Sequence, residues 1–137
     1  IIIVLKQIAE ENDGLLLPEQ VVEAARPVKS PLHSKFEWDN SKAAESYRIW
    51  QARQLIRICV EVISQSKEPV EVFVSLTSDR REGGYRIQTE VLSDADMRRQ
   101  LLADALAELE LFREKYARLR ELAVVFAAIR KVGRRER

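Results

Sequence analysis

The sequence predicts an α+β protein that is mostly helical, with N-terminal helices and a winged-helix-like β-hairpin followed by one long C-terminal helix. Three observations predict this class. The first part of the chain contains apolar residues at helical spacing, interrupted by turn signals. The middle contains short runs rich in β-branched residues. In the last third, apolar positions are separated alternately by three and four residues for more than three heptads.

Two short helices open the chain. Residues 1–12 form the first, and the turn Asn12-Asp13-Gly14 ends it because glycine readily adopts the left-handed conformation. Pro18 then occupies the first position of a second helix, which Pro27 stops. Because the sequence opens with Ile1 rather than Met, we expect it to lack its true beginning.

A connector follows at residues 27–38, where two prolines leave room for one short turn at most. We expect Phe36 and Trp38 to hold this connector against the core. The third helix then starts at a capping residue, Asp39 or Ser41.

The third helix is predicted to have two chemically different sides. At about 100° per residue, one flank collects polar residues and an indole. These are Lys42, Ser46, Ile49, Trp50, Arg53 and Arg57. The opposite side collects mainly apolar residues. These are Ala43, Ala44, Tyr47, Gln51, Leu55 and Ile58. With the apolar side docked, the first flank would hold three cations and the indole of Trp50 towards a partner.

The character of the chain changes after this helix. Residues 58–63 and 70–76 are predicted strands, and residues 85–88 return as another strand. The segment 70–89 is therefore a predicted β-hairpin. Its tip is basic, and Gly83-Gly84 allow positive φ there.

The C-terminal third predicts a helix over residues 93–132, followed by a basic tail at 133–137. Residues 1–92 would form the binding domain. The helix either packs on this domain or buries part of its apolar band against another copy of the chain, and we favour the second alternative. The predicted oligomerisation residues are Leu102, Leu109, Phe112, Tyr116, Leu119 and Phe126.

Composition limits the function classes. The chain has 137 residues, with 23 basic and 22 acidic side chains and a net charge of +1, so no global field draws it to nucleic acid. Residues 130–137 carry a local excess of cations, which suits a phosphate-binding arm or a solubilising end. No apolar stretch approaches the roughly 20 residues needed to cross a bilayer. We expect a cytoplasmic protein without a membrane partner.

Catalytic motifs are nearly absent. With one histidine and one cysteine, no His/Cys zinc cluster can form, and the usual glycine-rich phosphate loops are missing. Cys59 lies in an apolar run and is predicted to be a buried, inert thiol. We therefore expect no enzyme, cofactor or metal site. Two weaker alternatives are a Cys59–His33 nucleophile pair and a metal-dependent nuclease that uses Glu37, Asp39 and Glu61.

A binding function is the remaining class. The order of the predicted elements is that of a winged helix-turn-helix. The third helix would enter the major groove, and the hairpin would lie along the DNA backbone. The predicted contacts are Lys42, Ser46, Arg48, Arg53, Arg57, Arg80 and Arg81. Against this interpretation, the connector is long for a helix-turn-helix. Tyr47 and Trp50 are predicted as core aromatics rather than stacking platforms.

Three phrases carry a resemblance to a known family: LLLPEQVVEAA, SPLHSKFEWDNSKAAESYRIWQARQLI and VFVSLTSDRREGGYRI. With the C-terminal helix, they resemble a family of small proteins encoded in bacteriophages and prophages. The resemblance implies a viral or mobile-element origin in a bacterial host and transfers no site. The leading hypothesis is a self-associating phage protein that binds double-stranded DNA in regulation, recombination or DNA organisation. The alternative is an adaptor or assembly subunit that binds another phage or host protein.

Overall fold

The computed structural model describes residues 1–40, 42, 44–62 and 68–136. The predicted class, α+β and mostly helical with a long helix in the C-terminal part, is confirmed. The elements are α1 (Ile2–Glu11), β1 (Leu15–Leu16), α2 (Pro18–Ala25), α3 (Glu45–Arg57), β2 (Val60–Val62), β3 (Pro69–Glu71), β4 (Phe73–Val74), β5 (Tyr85–Ile87), α4 (Gln88–Ser93), α5 (Ala95–Tyr116) and α6 (Ala123–Arg135). Short 3-10 helices lie at His33–Lys35, Thr77–Asp79 and Arg120–Leu122.

The first turn forms as the sequence predicts. Asp13 and Gly14 adopt φ angles of 53° and 84°, and the Gly14 amide donates to the Ala9 carbonyl at 2.8 Å. β1 follows directly, at a position where the sequence predicts no strand. Its two leucines lie between the glycine turn and Pro18, so the run is too short for an alternating pattern to mark it.

The strands form two small antiparallel sheets. One has the order β1-β5-β4, with Leu16 opposite Tyr85, and the other pairs β2 with β3. The predicted strand at 70–76 therefore splits. The break is at Val72, whose amide donates to the Cys59 carbonyl in one sheet while its own carbonyl accepts from the Gln88 amide. The end of the predicted strand 58–63 lies outside the described residues.

The two glycines near the hairpin tip have different roles. Gly83 adopts a φ of 72°, as the sequence predicts. Gly84 leaves room for a neighbouring side chain instead, because a Cβ there would lie 2.5 Å from Cδ1 of Leu15. The second glycine therefore lets the Leu15 side chain of β1 pack against the returning chain.

The core lies between the first three helices and the strands. Leu5, Leu16, Val21 and Val22 are fully buried, and α3 contributes Ile56 to the same core. Burial of this kind is worth about 1.5–3 kcal/mol for each large apolar side chain. The core thus depends on α1–α3 and the strands, which fix the orientation of α3.

The C-terminal region differs from the prediction of one helix over 93–132. α5 ends at Tyr116, and α6 folds back along it, so that the rings of Phe112 and Phe126 meet at 6.4 Å in an edge-to-face arrangement. The three-four apolar repeat fits one continuous helix and a helical hairpin equally well, because both arrangements bury the same apolar stripe. α6 also runs through Gly133 to Arg135, so the predicted basic tail begins inside a helix.

Candidate nucleic-acid interface

α3 has one buried and one exposed side, but its buried side differs from the predicted one. Four residues face the core: Arg48, Ala52, Leu55 and Ile56. Ser46, Trp50, Arg53 and Arg57 are exposed and follow one another at spacings of four, three and four residues. The helix starts at Glu45 rather than at Asp39 or Ser41, and Ser41 lies outside the described residues.

An aromatic pair lies on the exposed side of α3. Tyr47 is 45% exposed and Trp50 is 51% exposed, and their rings stack with centroids 5.7 Å apart and planes 13° apart. The prediction that these two residues are core aromatics is therefore wrong. The reason is the orientation of α3, which turns Arg48, Ala52, Leu55 and Ile56 towards the core and leaves Tyr47 and Trp50 on the outer side. Phe36 and half-buried Trp38 pack against the core, as the sequence predicts.

Arg53 and Arg57 point away from the core, as the sequence predicts. Both are exposed, and neither forms an ion pair or a hydrogen bond within the part of the chain that the structure describes. The Arg53 guanidinium extends to the hairpin tip, where a Cβ at Gly83 would lie 3.5 Å from Nη2. The two guanidiniums are therefore available to an anionic group.

Both arginines border an open cleft of about 800 Å³ between α3, the hairpin and α5. Arg80 adds a third guanidinium to this cleft. Three carboxylates also line it: Glu71, Asp104 and Glu108. The wall of the cleft thus carries both charges. Among the described residues that line it, the cations without an ion-pair partner lie on α3 only.

Arg48 is the largest departure from the predicted contact set. Its side chain is only 5% exposed and its guanidinium is used internally. Nε donates to the Glu37 carbonyl at 3.0 Å, Nη2 donates to Oδ1 of Asn40 at 2.5 Å, and Nη1 lies 3.3 Å from a carboxylate oxygen of Glu45. The prediction that Arg48 contacts DNA is therefore wrong, because its donors already bind the connector.

Trp38 completes this internal arrangement. The Arg48 guanidinium lies 5.4 Å from the centroid of its ring, and Arg26 approaches the ring at 5.8 Å. The indole Nε1 donates to the His33 carbonyl at 2.8 Å, and the His33 ring stacks on the indole at 5.0 Å. Arg48 therefore orders the long connector. Helical periodicity does not reveal this structural role, because it does not show what lies opposite a charged side chain.

The hairpin tip does not project freely, as a wing would. Asp104 of α5 accepts hydrogen bonds from the amide and the hydroxyl of Thr77, at 2.9 and 2.6 Å. Ser78 donates to Gln100 at 2.9 Å, and Arg80 lies 3.8 Å from Glu108. Arg80 is thus partly neutralised, whereas Arg81 is exposed.

Gln100, Asp104 and Glu108 hold the hairpin, a role that was not predicted from the sequence. Their spacing of four residues places them on one face of α5, and that spacing was the available signal. The same spacing is typical of a solvated helix face, and nothing in the sequence indicates that the hairpin lies opposite these residues.

An ion pair inside the hairpin shapes its tip. Nε and Nη2 of Arg86 donate to the two oxygens of Asp79 at 2.6 and 2.9 Å, and Asp79 is buried. These hydrogen bonds raise the pKa of Arg86 above its ordinary value. The pair holds the 3-10 turn against β5 and so fixes where Arg80 and Arg81 lie.

The remaining predicted contacts lie before and at the start of α3. Lys42 keeps 72% of its side chain exposed, although it lies 3.8 Å from Asp39. Ser46 is exposed in the first turn. Both residues are accessible, and Ser46 lies on the same exposed side of α3 as Arg53 and Arg57.

The predicted oligomerisation residues divide into two groups. Phe126 is only 6% exposed and contacts Phe112 within the same chain, so the prediction that it serves a second copy is wrong. Leu109 and Leu119 remain 40% and 47% exposed. Tyr116 is half-buried beside Phe112, and Leu102 lines a groove between α5 and α6.

The weaker enzyme alternatives gain nothing from the geometry. Cys59 is buried, its Sγ donates to the Leu55 carbonyl, and burial raises the pKa of its thiol, which disfavours the nucleophilic thiolate. Nδ1 of His33 lies 2.9 Å from the Ala25 carbonyl instead of facing a nucleophile. Glu61 pairs with Lys6, and within the described residues no three His, Cys, Asp or Glu side chains group as metal ligands.

Comparison with protein-family models, curated proteins and solved structures finds no match. Among the residues that the structure describes, no helix is both long and apolar enough to cross a membrane. Function is therefore inferred from the contacts of this chain alone.

Proposed function

We propose that the protein binds double-stranded DNA through the exposed side of α3 and self-associates through its C-terminal helices. The observation that carries this proposal is the pair Arg53 and Arg57, which are exposed and without partners among the described residues. Two guanidiniums one turn apart can donate to successive phosphate oxygens. Lys42, Ser46 and Arg81 are also exposed and would add contacts to the same duplex.

The origin implied by the resemblance remains part of this proposal. A bacteriophage or prophage protein of this size fits regulation, recombination or organisation of DNA in a bacterial cytoplasm. With a net charge of only +1, one copy offers few phosphate contacts. Self-association would repeat them and raise the apparent affinity through effective concentration.

A salt titration tests the DNA proposal. Fluorescence anisotropy with a labelled duplex should give a steep log–log slope, and Arg53→Ala with Arg57→Ala should reduce that slope by about 2, roughly one for each phosphate that is no longer neutralised. The reversal Arg53→Glu with Arg57→Glu should abolish binding. Lys29→Glu with Lys35→Glu is the matched control, because it changes the net charge equally at exposed connector positions outside both proposed surfaces. Equal losses in both reversals would show that only net charge matters and would exclude α3 as the DNA-binding element.

Self-association is tested at the two exposed leucines that remain from the predicted set. Leu109→Asp with Leu119→Asp should lower the molecular mass in sedimentation, because it places charge on an apolar surface that a second copy would cover. The control is Leu111→Asp with Val124→Asp, which adds the same charge at positions that are 66% and 81% exposed and lie outside the predicted set. This control should leave the molecular mass unchanged. A wild-type protein that is monomeric at micromolar concentrations would remove the self-association proposal.

One observation favours a second candidate function, an adaptor that binds a protein. Exposed Tyr47 and Trp50 beside Arg53 have the composition of a protein-binding hot spot. An adaptor would show no duplex binding at low salt. A pull-down on an acidic partner that depends on Trp50 would then replace the DNA proposal.

A further inference from the structure

An open groove lies between α5 and α6, on the side of α5 opposite the hairpin. Its volume is about 750 Å³, and it extends over the segment of α5 from Arg99 to Arg113. At 1.5 Å per residue this segment is about 21 Å long, or roughly four helical turns. The two helices touch through Phe112 and Phe126 near the turn and leave this space between their other ends. The groove therefore has the length of a short helix.

The floor of the groove is apolar and built from small and branched residues. Its members are Leu102, Ala103, Leu106, Ala107, Ile129 and Gly133. The leucines and Ile129 are half-buried by their own chain, so part of their surface still faces solvent. An apolar floor between two helices is the usual receptor for the apolar face of a third.

Gly133 has no structural purpose within the monomer. A Cβ at this position would meet no atom within 4 Å, and its φ is not left-handed. Glycine inside a helix is destabilising relative to alanine, so nothing in the isolated fold favours it there. A glycine in the groove wall does, however, let another backbone approach closely.

The rim of the groove is basic. Arg99, Arg113, Arg130 and Arg134 line it, together with Glu110 and Glu136. Arg113 pairs with Glu110, and Arg99 lies 3.4 Å from Asp96, so Arg130 and Arg134 supply the excess positive charge of the rim. Glu110 is already neutralised, since Nε of Arg113 donates to its two oxygens at 3.0 and 3.1 Å. A second copy of α6 fits this rim poorly, because that helix carries Arg130, Lys131, Arg134 and Arg135 and no carboxylate.

We infer that the groove between α5 and α6 binds an acidic amphipathic helix of a partner protein. The apolar face of that helix would lie on Leu102, Leu106 and Ile129, and its carboxylates would pair with Arg130 and Arg134 at the rim. This surface is separate from the exposed side of α3, so the inference does not depend on DNA binding. It shares Leu102 with the predicted oligomerisation residues, and sedimentation of the Gly133→Leu variant therefore distinguishes a partner helix from a second copy of this chain.

The test uses the full chain and a designed peptide as the probe. The peptide has about 16 residues, with leucines at helical spacing and glutamates at the other positions. Anisotropy should show saturable binding to the wild-type protein. A peptide with lysine in place of every glutamate should bind about tenfold more weakly or not at all. Failure of the glutamate peptide to saturate, or equal binding of both peptides, would overturn the inference.

Variants then locate the peptide. Gly133→Leu should weaken binding about tenfold or more by filling the groove, while its thermal midpoint stays equal to or above that of the wild type. Arg130→Glu with Arg134→Glu should also weaken binding. Lys131→Glu with Arg135→Glu, an equal charge change on the same helix but outside the groove lining, should leave it nearly unchanged.

Two results would contradict this location. Equal losses in both charge-reversal variants would show that the peptide responds to net charge alone. A wild-type dimer that Gly133→Leu converts to monomers in sedimentation would assign the groove to a second copy of this chain instead.

Discussion

Two regions of the molecule treat their apolar residues in opposite ways. The body, formed by α1–α4 and the strands, buries Leu5, Leu16 and Ile56 almost completely. The arm is formed by α5, α6 and the turn between them. None of the 22 residues of α5 is buried. In the arm Leu109 remains 40% exposed and Leu119 remains 47% exposed. The hydrophobic core therefore belongs almost entirely to the body, whereas every apolar residue of α5 stays at least partly exposed and can contact other molecules.

The attachment of the arm to the body reinforces this contrast. Where the hairpin meets α5, the hydrogen bonds of Thr77 with Asp104 and of Ser78 with Gln100 are exposed to solvent. Such exposed contacts contribute little net free energy because water competes for each group. At this junction the arm is thus held by weak polar contacts.

The largest expected difference between the regions follows from one type of substitution. Leu16→Ala should lower the free energy of unfolding by about 2–5 kcal/mol, because Leu16 is fully buried and the shortened side chain leaves a cavity. Leu111→Ala should change it by no more than about 0.5 kcal/mol, because most of that side chain already faces solvent. Urea denaturation of both variants, followed by circular dichroism, measures the two values.

Similar losses in these variants would break the comparison. They would mean that the arm contributes to the same cooperative unit as the body and that Leu111 is covered in solution. The slope of the unfolding curve provides a check, since it should remain equal to that of the wild type if each variant changes stability alone.

A second contrast lies within α3 and separates structural from binding arginines. Arg48→Met should lower the free energy of unfolding by about 2–3 kcal/mol, because it removes donors that hold the Glu37 carbonyl and Asn40. Arg53→Met should change it by no more than about 0.5 kcal/mol, because Arg53 is exposed. If DNA binding resides on α3, the order should be reversed in a duplex-binding assay. Arg53→Met should weaken duplex binding more than the folded fraction of Arg48→Met does.

Thermal melts and the duplex assay together measure this reversal. A destabilised Arg53→Met protein would show that its guanidinium stabilises the fold. An Arg48→Met protein of normal stability would show that the connector is ordered mainly by Phe36 and Trp38.

Local signals in the sequence predicted the body well. Pro18 at the start of α2 and the turn at Gly14 act on neighbouring residues, so each sets a boundary through its own backbone preferences. The orientation of Arg53 and Arg57 followed from helical spacing alone. The third helix nonetheless starts at Glu45, because the connector before it is organised by Trp38 and Arg48 rather than by a capping residue.

The errors have a common physical cause, since each concerns a contact between distant parts of the chain. Arg48 is internal because the connector returns across α3, and the hairpin tip is docked because Asp104 lies opposite Thr77. The reversal after Tyr116 depends on Phe126 meeting Phe112. Periodicity identifies which face of a helix is apolar, but it does not identify what covers that face.

The smallest expected effect concerns the pH dependence of the body. Hydrogen bonds from Arg26, and more weakly from Arg48, lower the pKa of Glu45 below its ordinary value. A carboxylate whose pKa is lower in the folded state stabilises the fold above its unfolded pKa, about 4.3. That contribution should disappear as the pH falls through the lower, folded pKa. The arm has no share in this connector network, so the effect belongs to the body.

Glu45→Gln should therefore lower the free energy of unfolding slightly at neutral pH and make its decline below about pH 4.3 shallower. Urea denaturation at a series of pH values measures both curves. The difference should shrink at about 1 M salt, where the Debye length is only about 3 Å and exposed ion pairs are screened. Parallel curves for Glu45→Gln and the wild type at low salt would show that the Arg26–Glu45–Arg48 contacts do not link the folding of the body to protonation.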